Sequence, residues 1–225
     1  MNWYYGFDLL FIISLVITIG SQIYINVSYG KYKKIKNRNG ITGFEVARKI
    51  LDKNGLSDVH VVSVKGELTD HYDPSRKVVR LSNSIFNGTS IASMSVAAHE
   101  VGHAIQDKEG YTMMKIRSKI VPIVNFASKI GYFVLVIGFL FGELGWTYAG
   151  IGLLSTTLIF QLVTLPVEFD ASRRAREELV NMNIVCDNEE EGCVNMLKAA
   201  AFTYVAALVN TLIQILRLIL AARND

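Results

Sequence analysis

The chain has 225 residues, of which 51% are hydrophobic and 19% are charged, with a net charge of +3 at pH 7. This composition is too apolar for an ordinary soluble domain, in which about a quarter of the residues are charged, and it excludes a disordered chain or a strongly basic nucleic-acid-binding protein. Two cysteines exclude a disulfide-rich scaffold, and the presence of only four histidines restricts the kinds of metal site that the chain can build.

The first apolar block, residues 9–27, contains no charged residue. At a rise of about 1.5 Å per residue, a helix of this length matches the roughly 30 Å hydrocarbon core of a bilayer. The residues before the block lack the Lys and Arg of a signal peptide, and residues 23–26 do not form a small-residue cleavage site. We therefore predict a retained transmembrane helix at residues 7–27.

The more polar residues 28–120 are predicted to form a small cytoplasmic peptidase domain. Within it, Thr42 and Glu45 have the spacing of a capping box at a helix start, and Gly55 is placed to end that helix. Short β-branched segments predict a small sheet or hairpin, with strands around 59–64, 67–72 and 77–82. The segment 78–82 could be either an exposed edge strand that binds an extended peptide or a structural edge strand.

A helix predicted over residues 90–107 carries the sequence His99-Glu100-Val101-Gly102-His103. Imidazoles at positions i and i+4 lie on one helical face and can bind one metal ion, and Glu100 can act as the general base on a bound water. The short pattern also occurs by chance in ordinary helices, but here it contains two of the four histidines. We therefore predict one catalytic Zn²⁺ ion.

Two further apolar blocks predict a transmembrane hairpin, with helices at 121–142 and 146–167 joined by a glycine-containing turn. Residues 168–195 are then predicted to form a cytoplasmic helix that carries the third metal ligand. A fourth block, 199–220, either spans the bilayer or packs at its surface.

A catalytic zinc ion needs a third protein ligand and an open fourth position. No histidine follows His103, so a downstream third histidine is excluded and a carboxylate is the best candidate. Glu168 stands out because it directly follows an apolar block, while Asp170 could orient a ligand or, with a shifted register, be the ligand itself. An alternative explanation of Glu168 is a favourable position in the first turn of a helix begun by Pro166.

Positively charged residues flank the apolar blocks on one side only, which predicts an outside N-terminus and an active site at the cytoplasmic face of the cell membrane. Residues 1–8 and the hairpin turn contain no Lys or Arg. The flanking residues are Lys31, Lys33, Lys34, Lys36 and Arg38 after the first block; Lys108, Lys115, Arg117 and Lys119 before the hairpin; and Arg173, Arg174 and Arg176 after it.

Three stretches, residues 68–74, 97–106 and 165–175, resemble the YugP-type bacterial membrane zinc metallopeptidase family, in the same order and over nearly the whole chain. That family is similar in layout to the gluzincin proteases HtpX and the CAAX prenyl protease, whose third ligand is the Glu of Glu-x-x-x-Asp. The resemblance implies a peptidase with a zincin-like domain, with Glu168 as the third ligand. Ser172 stands where those relatives have Asp, so Asp170, Ser172 or another Asp would have to support a zinc histidine.

Peptide hydrolysis also needs a hydrogen-bond donor for the developing oxyanion. His71 and Tyr72 are candidates because they lie in a polar segment before the motif helix, although such residues are equally common as surface turn residues. An intramembrane site-2-type protease is a poorer interpretation, because the motif helix is short for a membrane span.

The sequence therefore predicts a mainly α-helical integral membrane protein with about four transmembrane helices and a small α+β zincin-like cytoplasmic metallopeptidase domain. Its partners would be a peptide or membrane-protein substrate, the lipid bilayer, and a membrane partner protein or a second copy, with no nucleic acid. The alternative is a non-proteolytic membrane adaptor with a structural or vestigial metal site.

Overall fold

A computed structural model describes residues 3–223 of the chain, which are mainly helical. The elements are α1 (Trp3–Tyr32), α2 (Gly43–Lys53), β1 (His60–Val64), β2 (His71–Asp73), β3 (Val78–Ser82), α3 (Asn83–Phe86), α4 (Ile91–Glu109), α5 (Thr112–Phe141), α6 (Leu144–Asn181) and α7 (Asp187–Ala222). The described residues divide into two compact units. An apolar unit contains 3–22, 115–165 and 203–223, and a mixed unit contains 23–114 and 166–202.

Four described helices are long and apolar enough to cross a membrane, which confirms the predicted number of apolar helices. Their candidate spans are Leu9–Tyr32, Thr112–Phe141, Leu144–Asn181 and Asn188–Ala222. Many large apolar side chains in these spans are exposed, as expected for side chains that face lipid. The fourth block of the sequence therefore belongs to a helix that meets the length and composition of a span.

Glycines allow α5 and α6 to pack closely in the apolar unit. A Cβ added at Gly138 would lie 2.5 Å from the backbone nitrogen of Thr147, and one added at Gly150 would lie 2.6 Å from the backbone nitrogen of Leu135. Small residues at such positions let membrane helices approach to backbone contact. Gly142 follows the last residue of α5 with a φ of 66°, and α6 begins two residues later, so a short turn joins α5 to α6.

The mixed unit has a large hydrophobic core, in which α2, α4 and the sheet meet. Local sequence signals set the helix ends. Thr42 accepts a hydrogen bond from the backbone N–H of Glu45, while the Glu45 carboxylate accepts one from the backbone N–H of Thr42. Ser90 caps α4 by accepting from the backbone N–H of Ser93. Both predicted helix starts are therefore confirmed.

The sheet has the strand order β1-β3-β2, with β1 parallel and β2 antiparallel to β3. The prediction that residues 78–82 form an edge strand is therefore wrong, because β3 is hydrogen-bonded on both sides. Val79 and Leu81 in this strand are fully buried, as expected for a central strand. The second strand is shorter than predicted, because positive φ angles at Gly66 and Leu68 turn the chain before it.

Helix α6 continues without a break through Pro166. Proline usually interrupts a helix because it removes one backbone donor, but membrane helices tolerate this loss when neighbouring groups compensate. Glu168 is therefore in the interior of a long helix and not in a first turn. This excludes the helix-dipole explanation of Glu168.

Candidate metal centre

Helix α4 places the two histidines of the motif side by side. The rings of His99 and His103 are one helical turn apart, with centroids separated by 4.8 Å and planes inclined by 80°. His103 is buried, and the side chain of His99 is 14% exposed. The two imidazoles therefore lie close enough to bind one ion.

Helix α6 brings Glu168 to the same point. Its Oε2 lies 3.3 Å from the Nε2 of His99 and 3.6 Å from the Nε2 of His103, and its side chain is only 2% exposed. Of the described His, Cys, Asp and Glu residues, these three form a group with ligand atoms within 4.8 Å of one another.

The donor set fits a zinc ion. Two nitrogens and one oxygen at about 2.1 Å from a tetrahedral zinc ion would be separated by about 3.4 Å, close to the two distances from Glu168. Two imidazoles and one carboxylate are also a ligand set of catalytic zinc sites, which leave a fourth position open.

Gly102 allows α4 and α6 to approach this closely. A Cβ at position 102 would lie 2.6 Å from the carbonyl oxygen of Ala171, which is itself fully buried. A larger residue would push α6 away from α4 and carry Glu168 away from the histidines. The glycine between the two histidines is therefore part of how the site is assembled.

Each imidazole has a hydrogen-bond partner at its other nitrogen. The Nδ1 of His99 lies 3.3 Å from Ser172 Oγ, and the Nδ1 of His103 lies 3.0 Å from Gln106 Oε1. Such partners fix the ring so that Nε2 is available to a metal. Ser172, which departs from the pattern of the similar proteases, thus still contacts a histidine of the motif, while Asp170 contacts Gln106.

Glu100 is buried beside the three-residue group and is 8% exposed. Burial raises its pKa and the Glu168 carboxylate adds to the rise, against the opposing effect of the two imidazoles. A carboxyl group with a raised pKa is suited to accept and return a proton near neutral pH.

The pKa of His103 is also set by its surroundings. Burial, the largest single effect, would lower the pKa, but Glu168, Glu100 and Gln106 together outweigh burial and raise it. A metal ligand must be a neutral imidazole, so metal binding here would displace a proton.

The two predicted oxyanion donors lie on β2. His71 is exposed, and its Nδ1 lies 2.8 Å from the carbonyl oxygen of Thr69. The Tyr72 hydroxyl donates to Asp107 Oδ2 at 2.9 Å, one helical turn beyond His103 on α4. Burial and this hydrogen bond raise the pKa of Tyr72, so its hydroxyl stays protonated and can donate.

Gly102 and Gln106 belong to the site but are not identified by the motif. Two signals are available in the sequence. One is a glycine between the two histidines, and the other is a glutamine three residues after His103, since positions i and i+3 share a helical face. Neither signal identifies the contacts on α6, which are Ala171 for Gly102 and Val167 for Gln106.

Comparison with known proteins shows the family of the chain. A family model described as "Putative neutral zinc metallopeptidase" matches residues 7–223. A protein of Bacillus subtilis (strain 168) described as "Putative membrane protease YugP" is 46% identical over 218 residues, which cover 97% of this chain and 97% of that protein. No solved structure matches the chain. The resemblance found in the sequence is thereby confirmed, and the chain belongs to the family that carries this description.

Proposed function

We propose that the chain is a membrane-bound, zinc-dependent endopeptidase. The observation that carries the proposal is the convergence of His99, His103 and Glu168 on one point, with Glu100 buried beside them. The family description as zinc metallopeptidases and the description of the Bacillus subtilis relative as a membrane protease support it.

In this proposal one zinc ion is held by His99 Nε2, His103 Nε2 and a Glu168 carboxylate oxygen. When bound, zinc supplies Lewis-acid chemistry, which lowers the pKa of water and polarises a carbonyl group. Glu100 accepts a proton from the attacking water and delivers it to the departing amine, so one carboxylate serves first as base and then as acid. Its burial beside the ligand group keeps this proton away from bulk water.

We also propose that His71 or Tyr72 donates a hydrogen bond to the substrate carbonyl as its oxygen becomes negative. Tyr72 is the better placed, because its hydroxyl already reaches α4 at Asp107. It would have to exchange this partner for the substrate. His71 has its Nδ1 at Thr69, which leaves Nε2 to act as a donor when the ring is protonated.

The number of protein ligands distinguishes this proposal from a membrane adaptor. Structural zinc sites are closed by four protein ligands, whereas catalytic sites use three. Within the described residues, the group of His, Cys, Asp and Glu side chains at this point has three members. The geometry therefore favours catalysis over a purely structural metal site.

We further propose that the active site faces the cytoplasm and that the N-terminus lies outside. The support is the distribution of Lys and Arg. These residues flank the apolar helices on the proposed cytoplasmic side, whereas residues 1–8 and the α5–α6 turn contain none. A peptide or a membrane protein is then the substrate class, presented from the cytoplasmic side.

Sealed membrane vesicles carrying the full-length chain test metal dependence and orientation together. We expect inside-out vesicles to cleave an added mixture of fluorogenic peptides, and right-side-out vesicles to do so only after detergent opens them. A metal chelator should abolish cleavage, and added Zn²⁺ should restore it. Chelator-resistant cleavage would contradict the zinc mechanism, cleavage by intact right-side-out vesicles would contradict the orientation, and no cleavage in either preparation would favour the adaptor.

A further inference from the structure

Gln106 is a fully buried polar residue on α4, one turn after His103. Its side chain makes hydrogen bonds at both ends. The amide Nε2 donates to the carbonyl oxygen of Val167 at 2.8 Å and to Asp170 Oδ2 at 2.9 Å, while Oε1 lies 3.0 Å from His103 Nδ1. Val167 and Asp170 flank Glu168 on α6, so one side chain joins both metal-binding helices.

These contacts determine which way the amide of Gln106 points. A carbonyl oxygen and a carboxylate oxygen can only accept hydrogen bonds, so the amide nitrogen must face α6. The amide oxygen then faces His103 and can only accept. The Nδ1 of His103 must therefore carry a proton, which makes Nε2, the nitrogen beside the Glu168 carboxylate, the one that can bind a metal ion.

Charged groups hold Asp170 in place. Arg174 Nε donates to Asp170 Oδ2 at 2.6 Å, and the Arg174 guanidinium also pairs with Glu109 at the end of α4 at 2.7 Å. Charge-assisted hydrogen bonds of this kind are stronger than neutral ones. The orientation of Gln106 is thus fixed by an ion-pair network that links α4 to α6.

We propose that Gln106 is a positioning residue that fixes the tautomer and orientation of His103 for metal binding, and that Asp170 acts through Gln106. The proposal rests on the proposed zinc site. The Nδ1 atoms of the two histidines have different partners, since that of His99 contacts the Ser172 hydroxyl at 3.3 Å. Loss of the Gln106 contact would let the His103 ring take the other tautomer or rotate, and both changes weaken its bond to zinc.

The test is the affinity of the full-length, detergent-purified chain for Zn²⁺, measured by competition with a chromophoric chelator. We expect Gln106→Leu, which keeps the bulk and removes the polar contacts, to weaken zinc binding about 10- to 100-fold. The matched control is Ser95→Ala, which removes another fully buried hydrogen bond of α4, from Ser95 to the Ile91 carbonyl oxygen. The control should bind zinc as tightly as the unmodified chain even if its melting temperature falls.

Gln106→Glu distinguishes positioning from filling of space. The carboxyl group of the introduced glutamate has the same shape as the glutamine amide. It still offers an acceptor to His103, and when protonated it can donate to Asp170. We expect it to bind zinc more tightly than Gln106→Leu. Equal weakening in these two variants, or unchanged affinity in Gln106→Leu, would overturn the proposal.

Asp170→Ala keeps the test decisive if Gln106→Leu does not fold, since the Asp170 side chain is partly exposed and can be removed with less strain. It should lower zinc affinity, whereas Glu177→Ala on the exposed face of α6 should not. Unchanged affinity in Asp170→Ala would contradict the proposed network. Because zinc affinity is measured without substrate, a chain that binds zinc but cleaves nothing would refute the peptidase function and leave the role of Gln106 standing.

Discussion

Replacing Glu100 by Gln is expected to lower peptide cleavage by about 10²- to 10⁴-fold, while zinc stays bound. The amide has nearly the same shape as the carboxylate but cannot accept a proton from water. The proposed ligands are His99, His103 and Glu168, so the substitution at Glu100 leaves all three in place. The measurement is the cleavage rate of purified variant and unmodified chain, with zinc content determined on the same samples.

The control for this substitution is Glu177→Gln, which makes the same chemical change at an exposed position of the mixed unit. It should cleave at the unmodified rate. Cleavage by Glu100→Gln at that rate would exclude the general-base mechanism.

The same assay ranks the proposed oxyanion donors. Tyr72→Phe or His71→Ala should lower the rate without loss of zinc, and unchanged rates in both would exclude these roles.

Replacing Glu168 by Ala is expected to remove zinc from the purified protein. The substitution deletes one of the three converging side chains and leaves a cavity at a position that is 2% exposed. Loss of a residue that hydrogen-bonds to a metal ligand typically costs about 10- to 100-fold in metal affinity, so loss of a ligand itself should cost more. Metal analysis after dialysis should find zinc in the unmodified chain and little in Glu168→Ala, with His103→Ala behaving in the same way.

Asp170→Ala separates Glu168 from the other carboxylate considered as a ligand. The Asp170 carboxylate bonds to Gln106, Arg173 and Arg174 and is not a member of the converging group. The Asp170 variant should therefore retain much more zinc than Glu168→Ala. Full zinc retention by Glu168→Ala would show that the third ligand is another residue.

Features encoded by neighbouring residues could be predicted from the sequence. The capping box of Thr42 and Glu45, the Ser90 cap and the placing of two imidazoles on one face each depend on residues within about one helical turn. Long uncharged blocks likewise predict membrane helices from length and composition alone.

Features that depend on distant segments could not be derived in the same way. The pattern of β3 is compatible with an edge or a central position, and only its pairing with β1 and β2 decides between them. The continuation of α6 through Pro166 and the contact of Gly102 with Ala171 depend on packing between separate helices. Glu168 is a candidate because of its position after an apolar block and the resemblance, whereas Gln106 is not, because its partners on α6 are 61 and 64 residues away.

The most direct test of a catalytic zinc centre is zinc K-edge X-ray absorption, or anomalous diffraction, of the purified full-length chain. The account predicts one zinc ion with two imidazole nitrogens, one carboxylate oxygen and one water oxygen at about 2.0–2.2 Å. A zinc ion closed by a fourth protein ligand, or purified protein that holds no zinc, would contradict it and favour the adaptor.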